Sequence, residues 1–175
     1  MCLLFPSFFT SHWWLLPLAV ISFLLLFITR RRKLLNSIHK TRRRTVGSIL
    51  FPIPVYGCFL LAEVMHNNLF YYLPISLLTI SDTAAETAGL QWAHRSKQFF
   101  NGQKTLAGTL AFFITALPVC AGWLYHYDHS IPAVIGLSLM IASVAAITEL
   151  VTLHGWDNLT VPLMANAVLM VWLCG

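Results

Sequence analysis

Charge is what this sequence has least of. Only 10% of its 175 residues are Asp, Glu, Lys or Arg, while 58% are hydrophobic. So few polar residues cannot solvate the surface of a soluble domain, which excludes a disordered chain, a collagen-like repeat and a soluble DNA-binding domain. Paired cysteines are missing as well. Cys2, Cys58, Cys120 and Cys174 sit in or beside apolar stretches with no CxxC among them, so no framework of disulfide bridges is indicated. Internal repeats and low-complexity linkers are absent, and the simplest organisation is a single integral membrane domain over residues 1–175.

What the chain does have is long apolar runs. A membrane-crossing helix needs roughly 17–25 apolar residues, and six segments qualify at about 12–29, 46–65, 69–88, 106–125, 132–152 and 159–174. The expected fold is therefore all-α, a polytopic transmembrane helix bundle of about six spans, within a range of five to seven. The first 29 residues lack a basic leader region and a small-residue cleavage site, so they read as a retained span.

The little charge present is unevenly placed. Of the 11 Lys and Arg residues, eight lie in the run RRRKLLNSIHKTRRR between Arg30 and Arg44, and the rest are Arg95, Lys97 and Lys104. Threading six spans from an outside N-terminus puts every one of them on the cytoplasmic side, as the positive-inside rule requires. Most of the basic run is then topology and contact with anionic headgroups, and nucleic acid is not an expected partner.

Four of the six acids fall on that same side. Asp82 and Glu86 stand four apart in SDTAAETAG with Gly89 a turn further on, so they share one helical face. Glu149 closes the fifth apolar run, and Asp157, Asn158 and Thr160 follow in GWDNLTVPL, a set of hard oxygen ligands suited to Mg²⁺. Between them lies GQKTLAGTLA. There Lys104, Thr105, Gly108 and Thr109 open a helix whose free amides and hydroxyls can seat phosphate oxygens, although the spacing is not that of a Walker A loop. Acids for a metal, cations for phosphates and an apolar interior point to phosphoryl or nucleotidyl transfer onto a lipid at the cytoplasmic surface. The structural counterpart is a non-enzymatic membrane protein, a transporter or assembly factor, in which the same charges only pair with one another. Two further polar clusters read as ordinary: His126, Asp128 and His129 as a solvated outer loop, and Glu63 with His66 as a lone spacing without the partners a metal site needs.

In SDTAAETAG at 81–89, KTLAGT at 104–109 and DNLTVPL at 157–163, the sequence resembles the membrane-integral CTP-dependent lipid kinases, the group of phytol kinase, dolichol kinase and yeast-type diacylglycerol kinase. IHKTRRRTVGSILFP at 38–52, with His39, Arg43, Arg44, Thr45 and Gly47, is similar to a further element of that family, which is distantly related to the phosphatidate cytidylyltransferases. The resemblance implies a CTP donor, magnesium and a membrane lipid alcohol such as phytol or a polyprenol, with CDP-lipid synthesis as the enzymatic alternative. It implies Asp82 and Asp157 as metal-holding acids and Glu86 as a further ligand or the base, with Glu149 a second candidate base. Lys104, Thr105, Gly108 and Thr109 would hold the triphosphate, helped by Arg43 and Arg44, and Asn158 would orient metal or nucleotide. The expected location is a bacterial inner membrane, with the site facing the cytoplasm.

Overall fold

The structure, a computed structural model, describes residues 5–8, 11–31, 47–92, 96–99 and 104–174. Most of the basic run, with His39, Arg43, Arg44 and Thr45, lies outside the described residues, as does Arg95. The described chain is all-α apart from one short strand pair. Its elements are α1 (Phe5–Phe8), α2 (His12–Arg31), α3 (Gly47–Leu50), α4 (Pro52–Val64), α5 (Leu69–Ser76), a π-helical turn (Leu77–Ser81), α6 (Asp82–Gln91), β1 (Gln98–Phe99), β2 (Lys104–Thr105), α7 (Leu106–His126), α8 (Ile131–Val151) and α9 (Asp157–Cys174). The strands, which fall where the sequence reads as loop, pair antiparallel with Gln98 opposite Thr105 and Phe99 opposite Lys104.

Hydrophobicity decides the layering. In α5 the residues Leu69, Phe70, Tyr71, Leu73, Pro74, Ile75 and Ser76 are all buried, and a helix that is apolar on every side belongs at the centre of its bundle. It packs against α4, α7 and α9. Around it, α7 lies between α6 and α8, α8 lies on α9, and α2 leans on α4. The outer faces stay apolar: Leu110, Ile114, Ile135, Ile147, Leu163 and Val171 are exposed. Helices α7 and α8, of 21 residues each, are long and apolar enough to cross a membrane by length and composition, and Trp13–Thr29, Pro52–Val64 and Asp157–Leu173 are shorter apolar helices.

Specific polar contacts lock the register. The Trp123 indole Nε1 donates to Ser76 Oγ at 2.8 Å and its ring stacks on Tyr72 with centroids 4.7 Å apart, which pins α7 to α5 away from the charged end. Between α4 and α9, Asn166 Nδ2 donates to Cys58 Sγ at 3.4 Å. After α8 the chain turns through His154 and Gly155, with φ of 62° and 87°. The larger angle suits glycine, which lacks the Cβ that crowds left-handed backbone.

The π turn and the glycines set where the charged end forms. Leu77–Ser81 precedes Asp82 directly, and its wider turn changes the phase between the core-facing helix and the acid that follows. A Cβ built on Gly108 would come 2.9 Å from the Ala85 carbonyl oxygen and 3.1 Å from Thr105 Oγ1, so α6 and α7 cross too closely for any side chain there. A Cβ on Gly122, further along α7, meets nothing within 4 Å.

Gly108→Ala should therefore destabilise the protein by about 1–3 kcal/mol through overpacking. Gly122→Ala should leave it unchanged or stabilise it by up to about 1 kcal/mol, as helix propensity dictates. Thermal unfolding in detergent checks both, and equal effects at the two positions would contradict the close crossing.

Candidate active site

Among the described residues, Lys104 forms two short ion pairs. Lys104 leaves β2 just ahead of α7, and its Nζ donates to Glu149 Oε1 at 2.5 Å and to Asp157 Oδ2 at 2.7 Å. The three side chains are only 12%, 6% and 14% exposed, so water screens the pairs little. Glu149 lies in the last turn of α8, where the helix dipole disfavours an anion, and Lys104 offsets that cost. Asp157 starts α9, where the dipole favours it, and its Oδ1 accepts the Asn158 backbone N–H at 3.0 Å. Burial pushes the Lys104 ammonium down, but Glu149 and Asp157, by charge and by hydrogen bond, outweigh it and hold the ammonium above the ordinary 10.5.

Asp82 completes the group. One carboxylate oxygen from each of Asp82, Glu149 and Asp157 can lie within 4.8 Å of the others. Three hard oxygen donors at that separation are chemically suited to a magnesium ion, whose ligands sit about 2.0–2.1 Å from the metal. Without a full complement of cations the trio repels itself.

The α7 N-terminus lies against this group. Thr105 caps the helix in an extended conformation, and its Oγ1 accepts from the Gly108 N–H at 3.1 Å. One turn on, Thr109 Oγ1 lies 3.4 Å from Glu149 Oε2 and 3.3 Å from the Thr105 carbonyl oxygen, two acceptors for its one proton. A Cβ on Gly89 would come 3.0 Å from Thr105 Oγ1, so the glycine of SDTAAETAG seats the threonine of KTLAGT. A Cβ on Gly47 would come 2.6 Å from Asn158 Nδ2 and 3.3 Å from the Gly155 carbonyl, which sets α3 against the start of α9.

The structure thus brings together Asp82, Lys104, Thr105, Gly108, Thr109, Glu149, Asp157 and Asn158 from separate stretches of the chain. Glu86 shares the α6 face with Asp82 but is exposed and stands outside the carboxylate trio. Glu149, read from the sequence as a second candidate base, stands inside it. Arg43 and Arg44 lie outside the described residues. The sequence pattern did not reveal the three contacts at Gly47, Gly89 and Gly108, because a glycine leaves no periodic signal for the atom it admits.

No family model matches the chain, and no solved structure matches it. It is similar to the CTP-dependent diacylglycerol kinase 1 of Saccharomyces cerevisiae, at 27% identity over 153 residues that cover 70% of this chain and 51% of the relative. It is also similar to the CTP-dependent diacylglycerol kinase 1 of Eremothecium gossypii, at 30% identity over 110 residues, 51% of this chain and 33% of the relative. The chain spans about half the length of the first relative and a third of the second. Both names fall within the CTP-dependent lipid kinases, the family that the sequence motifs resemble.

Lys104→Met leaves three acids facing one another, and removing one partner of a buried pair costs about 3 kcal/mol or more. Adding Glu149→Gln should recover part of the loss, with a coupling energy of roughly 0.5–3 kcal/mol in a double-mutant cycle. Chemical unfolding in detergent followed by circular dichroism measures it; losses that simply add would contradict the bridge.

Proposed function

We propose that the chain is a CTP-dependent kinase that phosphorylates a membrane lipid alcohol at the cytoplasmic face of its membrane, with magnesium. The observation that carries this reading is the meeting of Asp82, Lys104, Glu149 and Asp157, from four separated stretches, beside the N-terminus of α7. An apolar chain does not need such a group for folding, because burying charges is costly even when they pair. The names of the two relatives support the donor and the class of acceptor.

In this reading the acceptor's hydroxyl oxygen attacks the γ-phosphorus of CTP, a phosphorus–oxygen bond to the lipid forms, and the bond to CDP breaks. Lys104 and Thr109, with the amides at the start of α7, hold the phosphate oxygens and stabilise charge as it builds. Magnesium, when bound by Asp82, Asp157 and Glu149, supplies the charge neutralisation that phosphoryl transfer requires. With Asp82, Glu149 and Asp157 holding the metal, Glu86, exposed on the Asp82 face, is left to take the hydroxyl proton. The apolar outer faces suit a bundle of about six spans whose acceptor approaches sideways from the bilayer. Within the lipid alcohols, the DNLTVPL ending, which resembles the phytol kinase branch of the family, favours an isoprenoid such as phytol or a polyprenol, and the relatives' names favour diacylglycerol.

Purified protein with Mg²⁺, an acceptor panel of phytol, polyprenol, diacylglycerol and phosphatidate, and γ- or α-labelled CTP tests the proposal. Label from the γ position should enter one lipid alcohol, and Lys104→Met should lower the rate about 10²–10³-fold. Label from the α position in lipid would instead make the protein a nucleotidyl transferase. No transfer from either position, in folded protein, would contradict the reading.

A further inference from the structure

The oxygens that would hold magnesium already have donors. Glu149 Oε1 and Asp157 Oδ2 accept from Lys104 Nζ at 2.5 and 2.7 Å. Glu149 Oε2 accepts from Thr109 Oγ1 at 3.4 Å, and Asp157 Oδ1 from the Asn158 N–H at 3.0 Å. All four oxygens of these two carboxylates are therefore engaged, and the ammonium lies within hydrogen-bonding distance of two members of a trio whose oxygens fall within 4.8 Å of one another. A divalent cation held by Asp82, Glu149 and Asp157 would draw on carboxylates that the ammonium now contacts, so the two would compete for them.

From this, and resting on the magnesium reading above, we infer that Lys104 and the divalent cation are alternative occupants of the carboxylate trio, and that metal enters by displacing the lysine. Of the donors present, Lys104 is the charged one able to leave, and the Thr109 hydroxyl can turn to the Thr105 carbonyl that it already reaches at 3.3 Å. The Asn158 N–H is fixed by the backbone of α9, whereas a lysine ammonium rides on a flexible four-carbon stem. At the oxygens themselves the two cations compete, because a divalent cation placed against Glu149 and Asp157 repels the ammonium that contacts the same groups. The released ammonium is then free for an anion, and the triphosphate is the anion at hand. Metal and nucleotide should therefore bind cooperatively, each favouring the state in which Lys104 has left the acids. The lysine acts as a resident counter-ion that offsets part of the acids' charge between turnovers and limits metal binding in the absence of nucleotide.

Two measurements on the detergent-solubilised protein test the exchange. Titration with Mn²⁺, read by electron paramagnetic resonance without nucleotide, should show Lys104→Met binding about tenfold tighter than wild type, within the usual range of coupling between ligands. Lys104→Arg, which keeps a cation there, should bind no tighter than wild type. The second measurement needs no variant: reductive methylation of Lys104 in the wild-type protein, followed by mass spectrometry, should rise severalfold as Mg²⁺ is added. Equal or weaker Mn²⁺ binding by Lys104→Met, or methylation that stays flat while Mn²⁺ binds to wild type, would overturn the exchange and leave the magnesium reading standing. No saturable Mn²⁺ binding to any of the three proteins would remove both.

Discussion

A lysine ammonium held between two carboxylates in an apolar bundle is the interaction on which the charged end of this protein depends. Glu149 ends one helix and Asp157 begins the next, and Lys104 joins both from the strand just ahead of α7. Without it, three acids with oxygens within 4.8 Å would face one another in a poorly hydrated setting. The same interaction gives the site its chemistry, because charges held close with little water act strongly on a phosphate.

The rest of the fold serves to bring these residues together. The helix α5, buried at every residue but Tyr72, is the axis, and the π turn hands its continuation to Asp82 at the end of the core. Small residues then let the motif-bearing segments touch: Gly108 admits the Ala85 carbonyl, Gly89 admits Thr105 Oγ1, and Gly47 admits the Asn158 amide. Each of these glycines belongs to a segment that also carries site residues, so spacing, polar chemistry and close approach are different aspects of one requirement. At the opposite end the Tyr72 and Trp123 stack and the Ser76 contact fix the packing without charge.

Much of this was legible in the residues. Long apolar runs without charge mark helices, and the all-α class follows from them. The run at 106–125 and the helix Leu106–His126 differ by a single residue. Helical spacing likewise put Asp82 and Glu86 on one face. It could not say which neighbour that face would meet, and for this reason the inner position belongs to Glu149, 45 positions from the lysine it binds. Strands of two residues each are too short to leave an alternating pattern, so β1 and β2 were invisible, and the π turn was hidden because it changes hydrogen bonding and not composition. The family resemblance came from residue order within short motifs, and the two relatives bear on it directly.

Asp82 separates a reaction centre from a structural ion pair, because it belongs to the carboxylate trio yet no hydrogen bond to Lys104 depends on it. The decisive measurement is Asp82→Asn, with unfolding temperature and CTP-dependent phosphorylation of lipid determined on the same preparation. The account predicts an unfolding temperature equal to or above wild type, since one of three mutually repelling charges is gone, together with a loss of transfer of about 10²-fold or more. Transfer that survives in the folded variant would contradict it.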